Sequence, residues 1–174
     1  MARGGQDAEG RFRSVFSHLP EVVAHARRRG SHDAEAIGAE AMTIAWRKLA
    51  DVPVDDPLPW LYATARNLVR AEWRRRHDDA DGGEIEIEAP EIAPHVDLLD
   101  PELAVAMRAL SPRDCEALLL VAWEDLTPAQ AARSLGITQA AFRVRLHRAR
   151  HRLQDRLQST VADPALVSLG WEDR

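Results

Sequence analysis

The sequence predicts an all-α protein of two small helical domains, over 11–76 and 103–158, joined by an acidic flexible linker over 77–102 and followed by a tail over 159–174. Three observations predict it. Apolar residues recur at three- and four-residue spacing through both blocks, the period of a helix with one buried stripe. Proline and glycine fall where helices begin and end. Charge is partitioned by segment: residues 1–76 carry thirteen Lys/Arg against ten Asp/Glu, 77–102 none against ten, 103–158 nine against five, and the tail one against three. The net charge of −5 therefore hides two basic blocks held apart by a polyanion.

Composition narrows the classes further. The 174 residues suit one domain or two small ones. The single cysteine, Cys115, excludes an internal disulfide, and no Cys/His cluster has zinc spacing, so no metal or cofactor is expected. A reducing cytoplasm fits this usage. No apolar run marks a signal peptide or a membrane span. No nucleophile–base pair or phosphate loop points to an enzyme. Asp55 and Asp56 are adjacent acids in a Pro-rich loop with no histidine nearby, which reads as turn chemistry.

Taken in order, residues 1–10 are Gly-rich and polar and are expected to be disordered. A helix over about 11–29 buries Phe12, Val15, Phe16, Leu19, Val22, Val23 and Ala26, with Pro20 forcing a kink or a break into two. Gly30 ends it. The next helix begins at Ser31 to Asp33 and buries Ile37, Ala41, Ile44, Ala45 and Leu49, leaving Glu40, Thr43 and Arg47 on its other side. Residues 50–59 form a loop of three prolines and three aspartates. The third helix, 60–76, sets Leu61, Ala65 and Leu68 on one face and Arg66, Arg70, Trp73 and Arg74 on the other. Trp60 at its start reads better as a core anchor than as a base stacker. In the linker EIEIE alternates like a strand but has no partner strand. A short helix over 103–110 follows, then one capped by Ser111 with Pro112 at its first position. The tail, with Leu166, Val167, Leu169 and Trp171, either docks as a short helix or stays mobile.

Residues 126–157 read as a helix-turn-helix. Thr127 caps a short helix that starts at Pro128 and buries Ala131, Ala132 and Leu135; Gly136 closes it and Thr138 caps the second helix. There Phe142, Leu146, Ala149, Leu153 and Leu157 make one apolar stripe, and Arg143, Arg145, His147, Arg148, Arg150, His151 and Arg152 fill the remaining circumference. A solvated basic helix in an ordinary bundle would look similar. Arginine density without an acid before Asp155, and a second basic helix that interleaves arginines with a tryptophan, favour nucleic acid. Arg143 stands at the end that reaches base edges, whereas Arg150 and Arg152, further along, are expected on phosphates.

The two blocks in this order resemble a bacterial RNA polymerase sigma factor of the extracytoplasmic-function (ECF) branch of the sigma-70 family. The first resembles region two, through the DAE entry at 33–35, the AWR ending at 45–47 and the WLY–ARN–RR run from Trp60. The second resembles region four, through SPR at 111–113, LTPAQAARSLGIT at 126–138 and RLHRAR at 145–150. The resemblance implies core RNA polymerase (its β′ clamp and β flap) and promoter DNA as partners, an anti-sigma protein as a candidate third, and no membrane. It places polymerase binding on Glu40, Ile44 and Arg47. It places −10 contacts on Trp60, Arg66, Asn67, Arg70, Trp73 and Arg74, and −35 contacts on Thr138, Ala140, Arg143, Val144, His147 and Arg148. It also implies that the linker runs through the polymerase cleft and RNA path. Ala36 and Ala39 stand where the family usually has an acid and an amide, and Ala140-Ala141 where it usually has Gly-Thr. The alternative is a stand-alone helix-turn-helix regulator whose N-terminal block senses a signal or dimerises.

Overall fold

The computed structural model describes the backbone of residues 2–81 and 99–162, and the side chains of 7–76 and 99–158. Eight helices and no strand occur among the described residues: α1 (Ala2–Phe16), α2 (Leu19–Arg28), α3 (Ala34–Arg47), α4 (Leu58–Asp81), α5 (Pro101–Arg108), α6 (Pro112–Ala122), α7 (Pro128–Leu135) and α8 (Gln139–Ala162). They divide into two compact units, the first holding α1 to α4 and the second α5, α6, α8 and the start of α7. The EIEIE segment, the expected disorder of the linker interior and the fate of the tail beyond 162 lie outside the described residues.

In the first unit α2, α3 and α4 pack on one another and α1 leans on α3. Pro20 lies within the first two positions of α2, so the break into two helices is realised. Gly30 turns at φ 75°, and Asp33 caps α3 by accepting from the Ala36 N–H at 2.9 Å. Asp33 is thus the N-cap of α3. The core is Val22, Ala26, Ile37, Ala41, Met42, Ala45, Val52, Leu61, Ala65 and Val69. One buried polar cluster accompanies it. The His25 ring stacks on Tyr62 at 4.3 Å, and Arg29 Nε donates to His25 Nε2 at 2.8 Å, which requires a neutral ring with its proton on Nδ1.

Two expectations need correction here. Residues 2–10, read as disordered, belong to α1. Gly4 and Gly5 cost about 1 kcal/mol each in a helix, but Val15 is buried and Phe12 packs on the core, and Arg11 donates to the Val52 carbonyl. Tertiary packing of the second half carries the first. Phe16, placed in the buried stripe, is 47% exposed.

The second unit is built on contacts of α8 with α5 and α6. The Ser111 and Thr127 helix starts are those that the sequence indicates, whereas α5 starts two residues before the expected 103. The Asp100 carboxylate accepts from Glu102 N–H at 3.0 Å, and Ser111 Oγ from Asp114 N–H at 3.2 Å. Thr127 and Gln130 form a reciprocal capping box: Gln130 N–H donates to Thr127 Oγ1 at 3.3 Å, and Thr127 N–H to Gln130 Oε1 at 2.8 Å. One core cluster joins Ala104, Met107, Leu110, Cys115 and Leu119, with Leu153 of α8 packed against it. Helix bounds differ modestly from expectation. α4 continues to Asp81, where the Gly82-Gly83 pair begins, and α5 starts at Pro101 behind its Asp100 cap.

Candidate nucleic-acid interface

The α7–α8 pair presents the strongest candidate site. Gly136 closes α7 at φ 66°, a left-handed conformation that side chains resist. Thr138 Oγ1 then accepts from Ala141 N–H at 3.1 Å and starts α8. Along α8, Phe142 and Ala149 are fully buried and Leu146 is 5% exposed. Burial of this stripe fixes the rotation of the helix. Thr138, Ala140, Arg143, His147 and Arg148 consequently lie exposed, with Val144 at 49%. All six −35 candidates are therefore solvent-facing. Arg148 lies toward the far edge of that face, five residues from Arg143 and about 140° round the helix. His147 and His151 touch edge to face at 4.5 Å.

Chemically, this surface offers a guanidinium, imidazoles and a small apolar side chain near a helix N-terminus. Those groups suit hydrogen-bond acceptors and methyl groups on base edges. Arg152, expected on phosphates, is ion-paired through its Nη1 with Asp114 Oδ2 on α6. Nothing in the local pattern of α8 announces a carboxylate arriving from 38 residues earlier in the chain.

The α4 candidates are more mixed. Asn67 and Arg74 are exposed; Arg66, Arg70 and Trp73 are half-buried, each engaged in contacts within the protein. Trp60 is half-buried against the first core, which fits the anchor reading better than the base-stacking one. Sequence reasoning missed Glu72. Its Oε2 accepts from Ser31 Oγ at 2.8 Å and its Oε1 from His32 N–H at 3.1 Å, so α4 is tied to the turn before α3. The carboxylate is thereby turned to that turn instead of running along the arginines. On α3, Glu40 and Arg47 are exposed and Ile44 is half-buried. Beside them α1 and α3 enclose an open groove of about 760 Å³ lined by Phe12, Phe16, Leu19, Met42 and Trp46. Trp46 is 48% exposed and meets Phe12 edge-on at 5.0 Å.

No group of three or more potential metal ligands occurs among the described residues, and no described helix is long and apolar enough to cross a membrane.

The family described as Sigma-70, region 4 matches residues 101–153. The chain is 32% identical over 168 residues to the probable RNA polymerase sigma factor RfaY of Xanthomonas campestris pathovar campestris, covering 90% of this chain and 42% of that protein. It is 27% identical over 161 residues to the ECF RNA polymerase sigma factor SigE of Mycolicibacterium smegmatis, covering 87% of this chain and 63% of that one. The chain thus spans less than two thirds of the length of either relative. Among solved structures, the sigma factor RpoE of Bartonella quintana, crystallised with the anti-sigma factor NepR, superposes with a TM-score of 0.60 at 27% identity, over 84% of this chain and 95% of that one. CnrH in complex with the cytosolic domain of CnrY gives 0.59 at 23% identity, over 89% and 94%, a likeness of fold.

Proposed function

We propose that the chain is a sigma factor of the ECF branch of the sigma-70 family, which binds core RNA polymerase and directs promoter-specific initiation of transcription; similarity to named sigma factors across both blocks supports this. The observation that carries this reading is the rotation of α8. With Phe142, Leu146 and Ala149 buried, Arg143, Val144 and His147 face solvent at the end of the helix that enters a major groove. In this reading Thr138, Ala140, Arg143, Val144, His147 and Arg148 meet the −35 duplex. The exposed Asn67 and Arg74, with Arg66, Arg70 and Trp73 beside them, meet the separated −10 strand, and Trp60 supports them from the core side. Cationic and aromatic groups on one helix suit unstacked bases held by their faces and backbone. Glu40, Ile44 and Arg47 of α3 dock on the β′ clamp, and the second unit docks on the β flap. An anti-sigma protein is a further partner, as for the Bartonella RpoE. The role is regulatory rather than catalytic, and it is performed in the cytoplasm where polymerase works.

The stand-alone regulator is the weaker reading, since the similarity to named sigma factors runs through both blocks and not only through the helix-turn-helix. A mobility-shift assay on promoter DNA with and without core polymerase tests the proposal. Sequence-specific binding that requires core supports it. Equally strong specific binding by the chain alone would favour the regulator.

A further inference from the structure

We propose that Arg152 is a positioning residue of the reader helix and that Asp114 is its anchor, so that together they set the angle at which α8 is presented to DNA. The inference rests on the reading of α8 as the −35 element. Asp114 is the third residue of α6, behind the Ser111 cap whose Oγ accepts from its N–H. A carboxylate there sits at the positive end of the helix dipole. Its side chain is only 6% exposed, while that of Arg152 is 58% exposed. Asp114 is therefore fixed inside the second unit, and Arg152 reaches in from α8 to pair with it. Removing Arg152 would take the ion-pair partner from a carboxylate that is only 6% exposed, which makes the pair a constraint on α8 and not a loose surface contact.

The helical geometry agrees. Arg152 lies nine residues after Arg143, which at about 100° per residue is a half-turn away in projection. The two arginines flank the buried stripe of Phe142, Leu146 and Ala149 on opposite sides. Arg143 flanks the side that also holds Ala140 and His147. Arg152 flanks the side that meets α6. A small tilt of α8 about that pin changes the approach of Arg143 and His147 to base edges while leaving their chemistry untouched.

The test is a double-variant cycle in holoenzyme reconstituted from the full chain and core polymerase. Promoter affinity, its salt dependence and the preferred −35 sequence are measured for Arg152→Ala, Arg152→Lys, Asp114→Asn and Asp114→Asn with Arg152→Ala. Arg143→Ala is the control for the underlying reading, and hydrogen exchange of α8 amides reports folding. The proposal expects Arg152→Ala and Asp114→Asn each to weaken the best promoter roughly tenfold, and the double variant to be no worse than either single. Both singles should shift −35 base preference in the same way, with the salt slope unchanged and Arg152→Lys restoring most of the affinity. A slope lowered by about one for Arg152→Ala, with Asp114→Asn neutral, would make Arg152 a phosphate contact and overturn the proposal. Loss of active protein with unaltered −35 preference would reduce the pair to a stability role and also overturn it. If Arg143→Ala changes nothing, the reading of α8 itself fails, a result distinct from either.

Discussion

Gly38 sits in the middle of α3 where α2 crosses it, and Gly38→Ala sets two opposing effects against each other. Alanine in a helix interior is favoured over glycine by about 1 kcal/mol. The new Cβ, however, would lie 2.5 Å from Val23 Cγ2 and 3.1 Å from Leu19 Cδ1. Carbon atoms rest at about 3.5–4.0 Å, so the first contact is too close by an ångström or more. Val23 is β-branched and helical, with one strongly preferred rotamer, and it cannot swing aside. The relief must come from separating α2 and α3, an overpacking cost of about 1–3 kcal/mol. The clash wins: Gly38→Ala should destabilise the first unit by about 1 kcal/mol net, within a range of about 0–2. Val23→Ala removes the offending methyl, so the cycle between the two sites should show a favourable coupling of about 1 kcal/mol or more. Hydrogen exchange of the Ala41, Met42 and Ala45 amides in the full chain reads the opening of this unit. Stabilisation by Gly38→Ala alone, or additivity of the two changes within about 0.5 kcal/mol, would refute the close approach as the reason for glycine here.

Three further outcomes are expected. Gly136→Ala should destabilise the turn between α7 and α8 by about 1–2 kcal/mol through backbone strain at its positive φ alone, since its Cβ would meet nothing within 4 Å; Gly136→Asn should cost less, as read by urea unfolding. Phe142→Ala should cost about 3–5 kcal/mol in the same measurement, whereas Val144→Ala, half exposed, should stay within about 0.5 kcal/mol yet lower promoter affinity. Thr127→Ala should cost about 0.5–2 kcal/mol by opening the capping box with Gln130, visible as faster exchange at the Gln130 amide.

What could be read from the chain was what local rules decide. The three- and four-residue spacing of Phe142, Leu146, Ala149, Leu153 and Leu157 predicted the apolar stripe of α8; the first three are buried and the last two half-buried. Ser111 and Thr127 announced their helices because capping is a short-range exchange between a side chain and the next turn's amides. Gly30 and Gly136 marked helix ends and do adopt positive φ. What stayed hidden depends on which helices cross. Arg152 looks like its neighbours on a helical wheel until α6 brings Asp114 against it. Glu72 reads as a lone acid on a basic helix until the turn at Ser31 and His32 reaches it. Phe16 fits an apolar stripe, but the groove between α1 and α3 leaves it uncovered. The helical start of α1 was misjudged because Gly and polar content measures propensity, while packing further along the same helix decides whether it forms.

The central claim is that α8 reads upstream promoter bases on behalf of core polymerase. Run-off transcription from a library with randomised −35 positions, using purified core and either the unaltered chain or Arg143→Ala, tests it most directly. The account predicts initiation only when core and chain are both present, with a defined −35 preference that Arg143→Ala relaxes at one or two positions, each worth about 1–3 kcal/mol of discrimination. An unchanged −35 preference in Arg143→Ala, or transcription indifferent to the −35 sequence in the unaltered chain, would contradict it.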